Sequence, residues 1–245
     1  MTRSPQTRPV ALVTGAGTGL GSALAIGLAA QGFDVAIHFR RSAEGAQDAA
    51  HRARSLGAEA EVFKADLSQE PEALRLADAV ANRFQRLDLL VNNAGVYCEK
   101  HGLDLSATEW MEGLHSTVTQ TFFTTRAMLP LLRSKPAGRI INLGDSSADR
   151  PGARDLAWSY HIGKTGVWML TRSLAASEAP YGIPVNMVSP GFLENSVGIL
   201  PADAVPAGRL GTFADLESAV RYLAQEAPAY LTGSNLMVGG GWNLR

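Results

Sequence analysis

Short apolar runs rich in Val, Ile and Leu alternate along this chain with longer stretches in which small and apolar residues recur at helical spacing. Continuous apolar runs are typical of parallel strands that are covered on both faces of the sheet. They predict strands at Val10–Thr14, Phe33–Phe39, Glu59–Ala65, Leu87–Val91, Arg139–Leu143, Pro184–Val188 and Asn235–Val238. Helices are predicted from a glycine loop to Gln31 and at Ala43–Leu56, Pro71–Phe84, Thr108–Arg133, Trp158–Glu178 and Phe213–Gln225.

This alternation predicts an α/β fold, namely a single Rossmann-type, doubly wound parallel sheet of about seven strands with helices on both faces. Of the 245 residues, 46% are hydrophobic and 18% are charged, which supplies ample apolar material for one large core. The sequence shows no internal repeat, linker or low-complexity segment. We therefore expect residues 1–245 to form one domain that both binds a dinucleotide and carries the chemistry.

Charge and cysteine usage narrow the class of partner. The formal net charge of -1 gives no electrostatic reason to expect nucleic acid or an anionic membrane. A single cysteine, Cys98, cannot form an internal disulfide or a zinc site, and we interpret it as an inert thiol. The first ten residues lack the apolar segment of a signal peptide, and every apolar run is too short to span a bilayer. The expectation is a cytoplasmic protein that acts on a small molecule and holds no metal.

A glycine-rich segment, Thr14–Gly21, follows the first predicted strand and opens the first predicted helix. Its glycines let the backbone turn sharply and let a pyrophosphate approach the helix N-terminus, where free N–H groups favour an anion. The spacing of Gly15, Gly19 and Gly21 is G-x-x-x-G-x-G, which differs from the G-x-G-x-x-G pattern. A turn needed only for tight packing is the alternative, but the position after the first strand favours a dinucleotide site.

The end of the second predicted strand, His38-Phe39-Arg40-Arg41-Ser42, indicates which dinucleotide is bound. Sites for NAD usually carry a carboxylate here, which holds the ribose hydroxyls. Two arginines and a serine instead suit a 2′-phosphate, because guanidinium binds phosphate in a bidentate manner. The alternative is that the arginines only begin a solvated helix. We favour NADPH (NADP) as the cofactor.

Tyr160 and Lys164 are four residues apart in a predicted helix, so both side chains lie on one face. A nearby cation stabilises phenolate over phenol and lowers the pKa of a tyrosine from about 10 toward the working range. Such a phenol is suited to protonate a carbonyl oxygen as a hydride arrives at the carbon. Alone, the pair is no more than a common surface arrangement.

Together with these features, four further segments make the chain resemble the short-chain dehydrogenase/reductase family over nearly its whole length. They are Asp66 after the third strand, Asn92-Asn-Ala-Gly95 after the fourth, Pro190-Gly191 after the sixth, and Leu231-Thr-Gly followed by Val238-Gly-Gly-Gly-Trp242. The resemblance and the glycine loop give a predicted cofactor site of Gly15, Thr18, Gly19, Leu20, Gly21, His38, Arg40, Arg41, Ser42, Asp66, Leu67, Asn93, Ala94, Gly95, Tyr160, Lys164, Pro190 and Gly191.

The resemblance implies hydride transfer between a nicotinamide and a substrate carbonyl, such as a 3-oxoacyl thioester or a small ketone. Tyr160 would be the acid/base, and Lys164 would bind the nicotinamide ribose and lower the pKa of the tyrosine. The resemblance also implies a homotetramer built on the two long helices, Thr108–Arg133 and Trp158–Glu178, with help from the C-terminal strand.

Two positions depart from the family pattern. Where the family carries an asparagine that supports a proton relay, counting from Trp110 gives Thr117, whose hydroxyl could hold a water or could simply pack the helix. The family serine is the second departure. Counting back from Tyr160 gives Ser147, whereas counting along the fifth strand gives Asp145. Because insertions belong in loops, we prefer Asp145, with Ser147 and then Ser146 as the alternatives.

An aspartate at this point would change the chemistry, because an ionised carboxylate only accepts hydrogen bonds. It would suit a substrate that presents N–H groups, or it would have to be protonated to donate. The pteridine reductase branch of the family carries Asp here, so reduction of a C=N bond in a dihydropterin is the alternative function. An ion pair of Asp145 with Arg150 or Arg154 is the structural alternative.

A substrate lid is predicted at about 192–212, and its shortness indicates an open or small pocket. Tyr97, Trp158 and Trp242 could line that pocket, although core packing explains lone aromatic residues equally well. His161 is expected on another face of the helix, at the surface or an interface. The alternative from another class is a non-catalytic NADP(H)-binding sensor, which would need the lysine but not the phenol.

Overall fold

The computed structural model of the protein describes residues 8–134, 137–146, 148, 150, 152–196, 201–242 and 244. The strands are β1 Val10–Val13, β2 Asp34–Phe39, β3 Ala60–Lys64, β4 Leu89–Asn92, β5 Arg139–Leu143, β6 Val185–Pro190 and β7 Asn235–Val238. They form one seven-stranded sheet in the order β3-β2-β1-β4-β5-β6-β7. Every neighbouring pair is parallel, which confirms the predicted fold class.

Helices connect successive strands and cover both faces of the sheet. They are α1 Gly19–Ala30, α2 Ala43–Ser55, α3 Glu70–Phe84, α4 Ala107–Leu114, α5 Gln120–Arg133, α6 Trp158–Glu178 and α7 Phe213–Arg221. One buried apolar cluster packs α1, α2 and α7 against the sheet, and a second packs α3, α5 and α6 against the other face. Because both faces are covered, the strands are buried on both sides, as their continuous apolar runs predict.

The long helix predicted at Thr108–Arg133 is divided in the structure. α4 ends at Leu114, a π-helical turn follows at His115–Thr119, and α5 begins at Gln120. A capping box starts α4, in which the Ser106 hydroxyl accepts from the Glu109 N–H and the Glu109 carboxylate accepts from the Ser106 N–H. A second π-helical turn, Tyr222–Glu226, extends α7. Single π-helical turns inside helices are frequent at functional sites.

The order of strands reverses between β1 and β4, since the chain builds outward to β3 on one side and to β7 on the other. In an open parallel sheet, the crevice beyond the carboxyl ends of such strands is where ligands bind. The glycine loop follows β1, Asn93 follows β4 and Asp145 follows β5. The topology therefore brings the predicted cofactor and catalytic residues to one edge of the sheet.

Candidate active site

The loop between β1 and α1 is shaped by two glycines in the left-handed region, Gly15 at φ 64° and Gly19 at φ 55°. A Cβ on Gly15 would lie 2.9 Å from the Cα of Ala94, so the loop packs directly on the segment after β4. Asn93 holds the two together, because its N–H donates to the Thr14 hydroxyl and its side-chain amide donates to the Thr14 carbonyl. Substituting either glycine would strain the backbone at this point.

This loop forms one wall of a cavity of about 360 Å³. Predicted cofactor residues that line the cavity are Gly15, Thr18, Leu20, Gly21, His38, Arg40, Arg41, Ser42, Leu67, Asn93, Ala94 and Gly95. Residues that the sequence reasoning missed are Gly17, Phe39, Val96, Ser116 and Gln120. Gly19 and Asp66 are not among the lining residues; Asp66 lies at the rim, 4.0 Å from the Arg40 guanidinium.

The residues of this cavity fit a dinucleotide. α1 begins beside it, and the N-cap residue Thr18 makes no side-chain hydrogen bond to the first turn, which leaves the N–H groups available to an anion. The atom nearest to a Cβ built on Gly19 would be the side-chain nitrogen of Asn195, 3.9 Å away. The backbone at Gly19 is therefore open in the direction that a side chain would take. These features supply both the space and the donors that a pyrophosphate requires.

His38 lies in the wall of this cavity, yet its ring nitrogens serve the backbone. Nδ1 accepts from the Gly15 N–H at 3.1 Å, and Nε2 lies 3.1 Å from the Ala65 carbonyl. Since a backbone N–H can only donate, the proton of the neutral ring sits on Nε2 and is donated to Ala65. The residue is 2% exposed, and burial lowers the pKa of His38 to about 4. His38 thus ties the loop, β2 and the end of β3 together, and its role as a cofactor contact stays a prediction.

Arg40, Arg41 and Ser42 line the same cavity, and their role in holding a 2′-phosphate stays a prediction. The described residues of this segment contain no carboxylate at the end of β2. Burial would raise the pKa of Asp66, but hydrogen bonds from Ser68 and the charges of Arg40 and Arg41 lower it on balance. Ser68 and, to a smaller extent, the two arginines thus favour the ionised form of Asp66.

A second cavity, of about 330 Å³, adjoins the first at the N-terminal end of α6. It is lined by Tyr97, Asp145, Ser146, Arg154, Tyr160, His161, Pro190, Gly191, Phe192, Leu193, Ser196 and Trp242. Predicted catalytic residues Tyr160 and Asp145 lie in its wall, and so do Pro190 and Gly191, which the sequence assigned to the cofactor. Ser147 lies outside the described residues, so its place as the serine equivalent stays a prediction.

Tyr160 and Lys164 occupy successive turns of α6, with the Lys164 ammonium 5.6 Å from the centre of the phenol ring. Lys164 is 4% exposed and donates to the Leu143 carbonyl at 2.7 Å, which fixes the ammonium beneath the carboxyl end of β5. A Cβ on Gly95 would lie 3.7 Å from both the ammonium and a carbon of the Tyr160 ring. Gly95 lines the first cavity and Tyr160 lines the second, so this contact joins them.

The prediction that the pKa of Tyr160 falls from about 10 toward the working range is wrong for this structure. Burial raises the pKa of the phenol well above its usual value, and Asp145 and Tyr97 add to the rise. Burial also lowers the pKa of Lys164 to about 8, with the Asp145 charge opposing the change. The physical reason is that loss of solvent disfavours phenolate more strongly than the buried cation favours it.

His161 belongs to this cavity rather than to a separate helix face. Its Nδ1 lies 3.7 Å from the Asp145 carboxylate, and its ring packs edge-on against Tyr97 and Tyr160. Tyr160 and His161, which are neighbours in the first turn of α6, therefore both line the cavity. Helical spacing alone does not predict this position, because the extent of the cavity depends on segments that are distant in sequence.

The aromatic residues divide between the cavity and other contacts. Tyr97 and Trp242 line it as predicted, and Phe192 packs edge-on against Trp242 at 4.9 Å between ring centres. Trp158 does not line this cavity. Its ring packs on Gly102, and its indole N–H donates to the Arg154 carbonyl.

Thr117, at the asparagine position of the family, faces α6 and is fully buried. Its hydroxyl donates to the Gly113 carbonyl at 2.6 Å, and a Cβ on Gly163 would collide with that hydroxyl. Thr117 therefore packs α4 and the π-helical turn against α6, which supports the packing alternative over a water site.

The described part of the chain carries neither a metal-site cluster nor a membrane-spanning helix. Within the described part of the chain, no group of three or more His, Cys, Asp or Glu side chains is placed to hold a metal ion. Among the described helices, none is both long and apolar enough to cross a bilayer.

Comparison with known proteins gives a consistent result. A family model described as short chain dehydrogenase matches residues 9–198. A 3-oxoacyl-[acyl-carrier-protein] reductase of Synechocystis sp. is 33% identical, with 96% of this chain and 97% of the relative covered. The reductase FabG of Haemophilus influenzae is 34% identical, with 95% and 97% covered.

Solved structures show the same likeness in three dimensions. Acetoin dehydrogenase YohF from Salmonella typhimurium superimposes with a TM-score of 0.87 at 33% identity, covering 97% of this chain and 98% of the other. Acetoin dehydrogenase from Enterobacter cloacae gives 0.88 at 29% identity, covering 98% and 97%. The chain thus belongs to the short-chain dehydrogenase family, whose members are oxidoreductases that bind a nicotinamide cofactor.

Proposed function

We propose that this protein is an NADPH-dependent reductase of a carbonyl compound, a 3-oxoacyl thioester or a small ketone, with Tyr160 as the general acid. One observation carries the proposal: Tyr160 lies at the junction of the two cavities, with Lys164 and the Gly95 backbone beside its ring. A phenol at that junction faces a substrate in one cavity while its lysine neighbour faces a dinucleotide in the other.

The bound cofactor would supply the hydride, and the chain's own residues would handle the proton. Because burial raises the pKa of Tyr160, the phenol holds its proton at neutral pH and can donate it to the oxygen on which negative charge develops. Lys164, fixed by its bond to Leu143, stabilises the phenolate that remains.

The choice of NADPH is supported by the charge at the end of β2. Arg40 and Arg41 line the cavity together with Ser42, and a guanidinium pair binds phosphate by charge-assisted hydrogen bonds. Asp66, which follows β3, lies 4.0 Å from the Arg40 guanidinium.

The substrate class is supported by the lining of the second cavity and by the relatives' names. Tyr97, Phe192 and Trp242 give it apolar walls, and Arg154 and Asp145 give it two charged positions. Relatives named for 3-oxoacyl thioesters and for acetoin are similar to this chain over almost its full length. The volume of about 330 Å³ suits a small ketone or the reacting end of a thioester.

Asp145 favours a second candidate, reduction of a C=N bond in a dihydropterin. Its carboxylate lies in the cavity wall beside Tyr160, where it can accept hydrogen bonds from ring N–H groups. The apolar walls can also hold a flat ring.

We further propose that residues 192–212 act as a lid within a single catalytic domain. Its two ends pair, since the Glu194 N–H donates to the Gly211 carbonyl and the Gly211 N–H donates to the Phe192 carbonyl. Residues 197–200 of the lid lie outside the described part of the chain.

Exposed apolar side chains on α5 and α6 support the proposed homotetramer; they are Phe122, Ile162 and Met169.

The experiment is a kinetic comparison of the wild type, Tyr160→Phe and the matched control Tyr97→Phe. Each would be tested with NADPH against 3-oxoacyl thioesters, diketones, simple aldehydes and dihydropterins. Tyr160→Phe should lower kcat by about 100-fold or more while the Kd for NADPH stays within about twofold, because only the proton donor is lost. Tyr97→Phe removes a phenol from the same cavity and should cost less than about tenfold.

The outcomes separate the candidates. Turnover of the carbonyls supports the main proposal, and turnover of dihydropterins alone supports the second. Full activity of Tyr160→Phe would refute the role of the phenol. Tight binding of NADPH without turnover of any substrate would favour a non-catalytic sensor.

A further inference from the structure

Glu112 holds both of the arginines that are proposed to bind the 2′-phosphate. Its Oε1 accepts from Arg40 Nη2 at 3.1 Å and lies 3.6 Å from Arg41 Nη2. The side chains of Arg40 and Glu112 are 28% and 35% exposed, whereas that of Arg41 is 77% exposed. One carboxylate oxygen, carried by a helix on the other side of the crevice, therefore bridges two guanidinium groups of the cofactor cavity.

The position of Glu112 follows from the helix that carries it. The capping box of Ser106 and Glu109 fixes the first turn of α4, and Glu112 lies in the next turn. Residues 112, 116 and 120 are spaced by four, so they share one face of the helical segment. Ser116 and Gln120 line the cofactor cavity, and the Gln120 amide donates to the Ala94 carbonyl at 2.8 Å. Glu112 extends the same wall as far as the arginines.

We propose that Glu112 determines how strongly the protein discriminates between NADPH and NADH, an inference that rests on the proposed use of Arg40 and Arg41. The carboxylate makes the charge-assisted contacts that a 2′-phosphate would make, so the two compete for the same guanidinium donors. Binding of NADPH must displace Glu112 or share the arginines with it. Binding of NADH leaves the bridge intact.

The charges around Arg40 and Arg41 support a competition between the Glu112 carboxylate and a 2′-phosphate. Arg40 also lies 4.0 Å from Asp66, so two arginines are matched by two carboxylates in this corner of the molecule. A dianionic phosphate gains most from guanidinium groups whose charge is not already compensated. Removing the Glu112 charge leaves a net positive corner, which attracts the phosphate and has no effect on a ribose hydroxyl.

The test is the Kd for each dinucleotide, measured by isothermal titration calorimetry on the wild type, Glu112→Gln and the double variant Arg40→Ala/Arg41→Ala. Glu112→Gln should bind NADPH about three- to tenfold more tightly, while its Kd for NADH stays within about twofold. The double arginine variant should bind NADPH at least about tenfold more weakly than the wild type. Adding Glu112→Gln to it should then leave the Kd for NADPH unchanged.

A matched control removes the same charge without touching the arginines. Asp104 is exposed and lies shortly before α4, so Asp104→Asn should alter neither Kd by more than about twofold. Unchanged NADPH affinity in Glu112→Gln, with the arginine variant still selectively weakened, would overturn this inference and leave the proposed cofactor intact. Equal weakening of both dinucleotides by the arginine variant would refute the proposed 2′-phosphate site itself. Thermal unfolding of each free variant checks that Glu112→Gln has not simply lost its fold.

Discussion

Tyr160 has two charged neighbours with opposite effects on its proton. Lys164 lies 5.6 Å from the ring centre and favours phenolate, whereas the carboxylate of Asp145 favours phenol. Burial favours phenol as well and is the largest contribution. Burial and the carboxylate therefore both keep the phenol protonated.

Asp145→Asn should move the pH dependence of alcohol oxidation to lower pH. In the proposed mechanism, oxidation uses the phenolate of Tyr160 as base, and the Asp145 carboxylate raises the pKa of that phenol. Replacing the carboxylate with a neutral amide of similar shape removes this contribution. The rise of kcat/KM with pH, measured on the alcohol product of the preferred substrate, should shift down by about half a pH unit or more.

The control for this prediction is Asp155→Asn, an exposed acid that precedes α6 and is not among the residues that line the cavity. Its pH profile should coincide with that of the wild type. A profile of Asp145→Asn that also coincides with the wild type would show that Asp145 is not coupled to the phenol. A raised KM without a shift would instead indicate that Asp145 contacts only the substrate.

At the scale of elements, the contact between the α4–α5 segment and α6 fixes the position of α6, the helix that carries Tyr160 and Lys164. Gly113 packs against Ser159, and Gly163 packs against the hydroxyl of Thr117. Each glycine lets a neighbouring helix approach closely, and Ser159 directly precedes Tyr160 while Gly163 directly precedes Lys164. The Thr117 hydroxyl occupies the space that Gly163 leaves open, so the threonine at the family's asparagine position serves this helix contact.

Gly163→Ala should destabilise the protein although alanine is a better helix former than glycine. Its Cβ would collide with the Thr117 hydroxyl inside a packed interface, and overpacking of this kind costs about 1–3 kcal/mol. For a protein of this size, that lowers Tm by roughly 2–4 °C per kcal/mol in calorimetry. Gly152→Ala is the control, because a Cβ there meets nothing within 4 Å. Equal Tm values for the two variants would mean that the helix interface accommodates the added methyl group without loss of stability.

Strands and helices whose apolar residues form continuous runs or recur at helical spacing could be predicted from the sequence. The seven strands and most helices were predicted to within a few residues, because apolar runs and helical spacing are local properties. The π-helical turn at His115–Thr119 could not be predicted, since its residues are ordinary for an α-helix. It arises where the segment must satisfy both the cofactor wall and the contact with α6.

The site was predicted where a motif carries the chemistry and missed where distant segments meet. The glycine loop, Arg40, Arg41 and Tyr160 follow from local patterns, and the cavities contain them. Glu112 is 72 residues from Arg40 in sequence, and no local pattern connects them. His161 was misplaced because the end of a cavity is a tertiary property.

At the scale of the whole molecule, His38 connects three segments at the carboxyl edge of the sheet. The ring accepts from Gly15 in the cofactor loop and donates to Ala65 after β3, while the His38 carbonyl accepts from the Ala16 N–H. Protonation of Nδ1 would remove the acceptor for Gly15 and place a charge in a buried site. Global stability is therefore linked to the protonation of one histidine at the edge of the cofactor cavity.

This linkage predicts a loss of stability in mild acid. The pKa of His38 is about 4 in the folded protein against 6.5 for an ordinary histidine, so between these values the unfolded chain binds more protons. The contribution is fully present above pH 6.5 and is lost as the pH falls toward 4, amounting to on the order of 3 kcal/mol. Urea unfolding of the free protein from pH 7 to pH 4 would measure this loss of stability.

His38→Asn keeps an acceptor near Gly15 but does not titrate, so its stability should fall less over this range than that of the wild type. His51→Asn, at an exposed histidine, should reproduce the wild-type dependence, because no buried site has to accommodate its charge. If His38→Asn retained the full wild-type loss, the acid sensitivity would lie in other groups and the buried ring would contribute nothing to it.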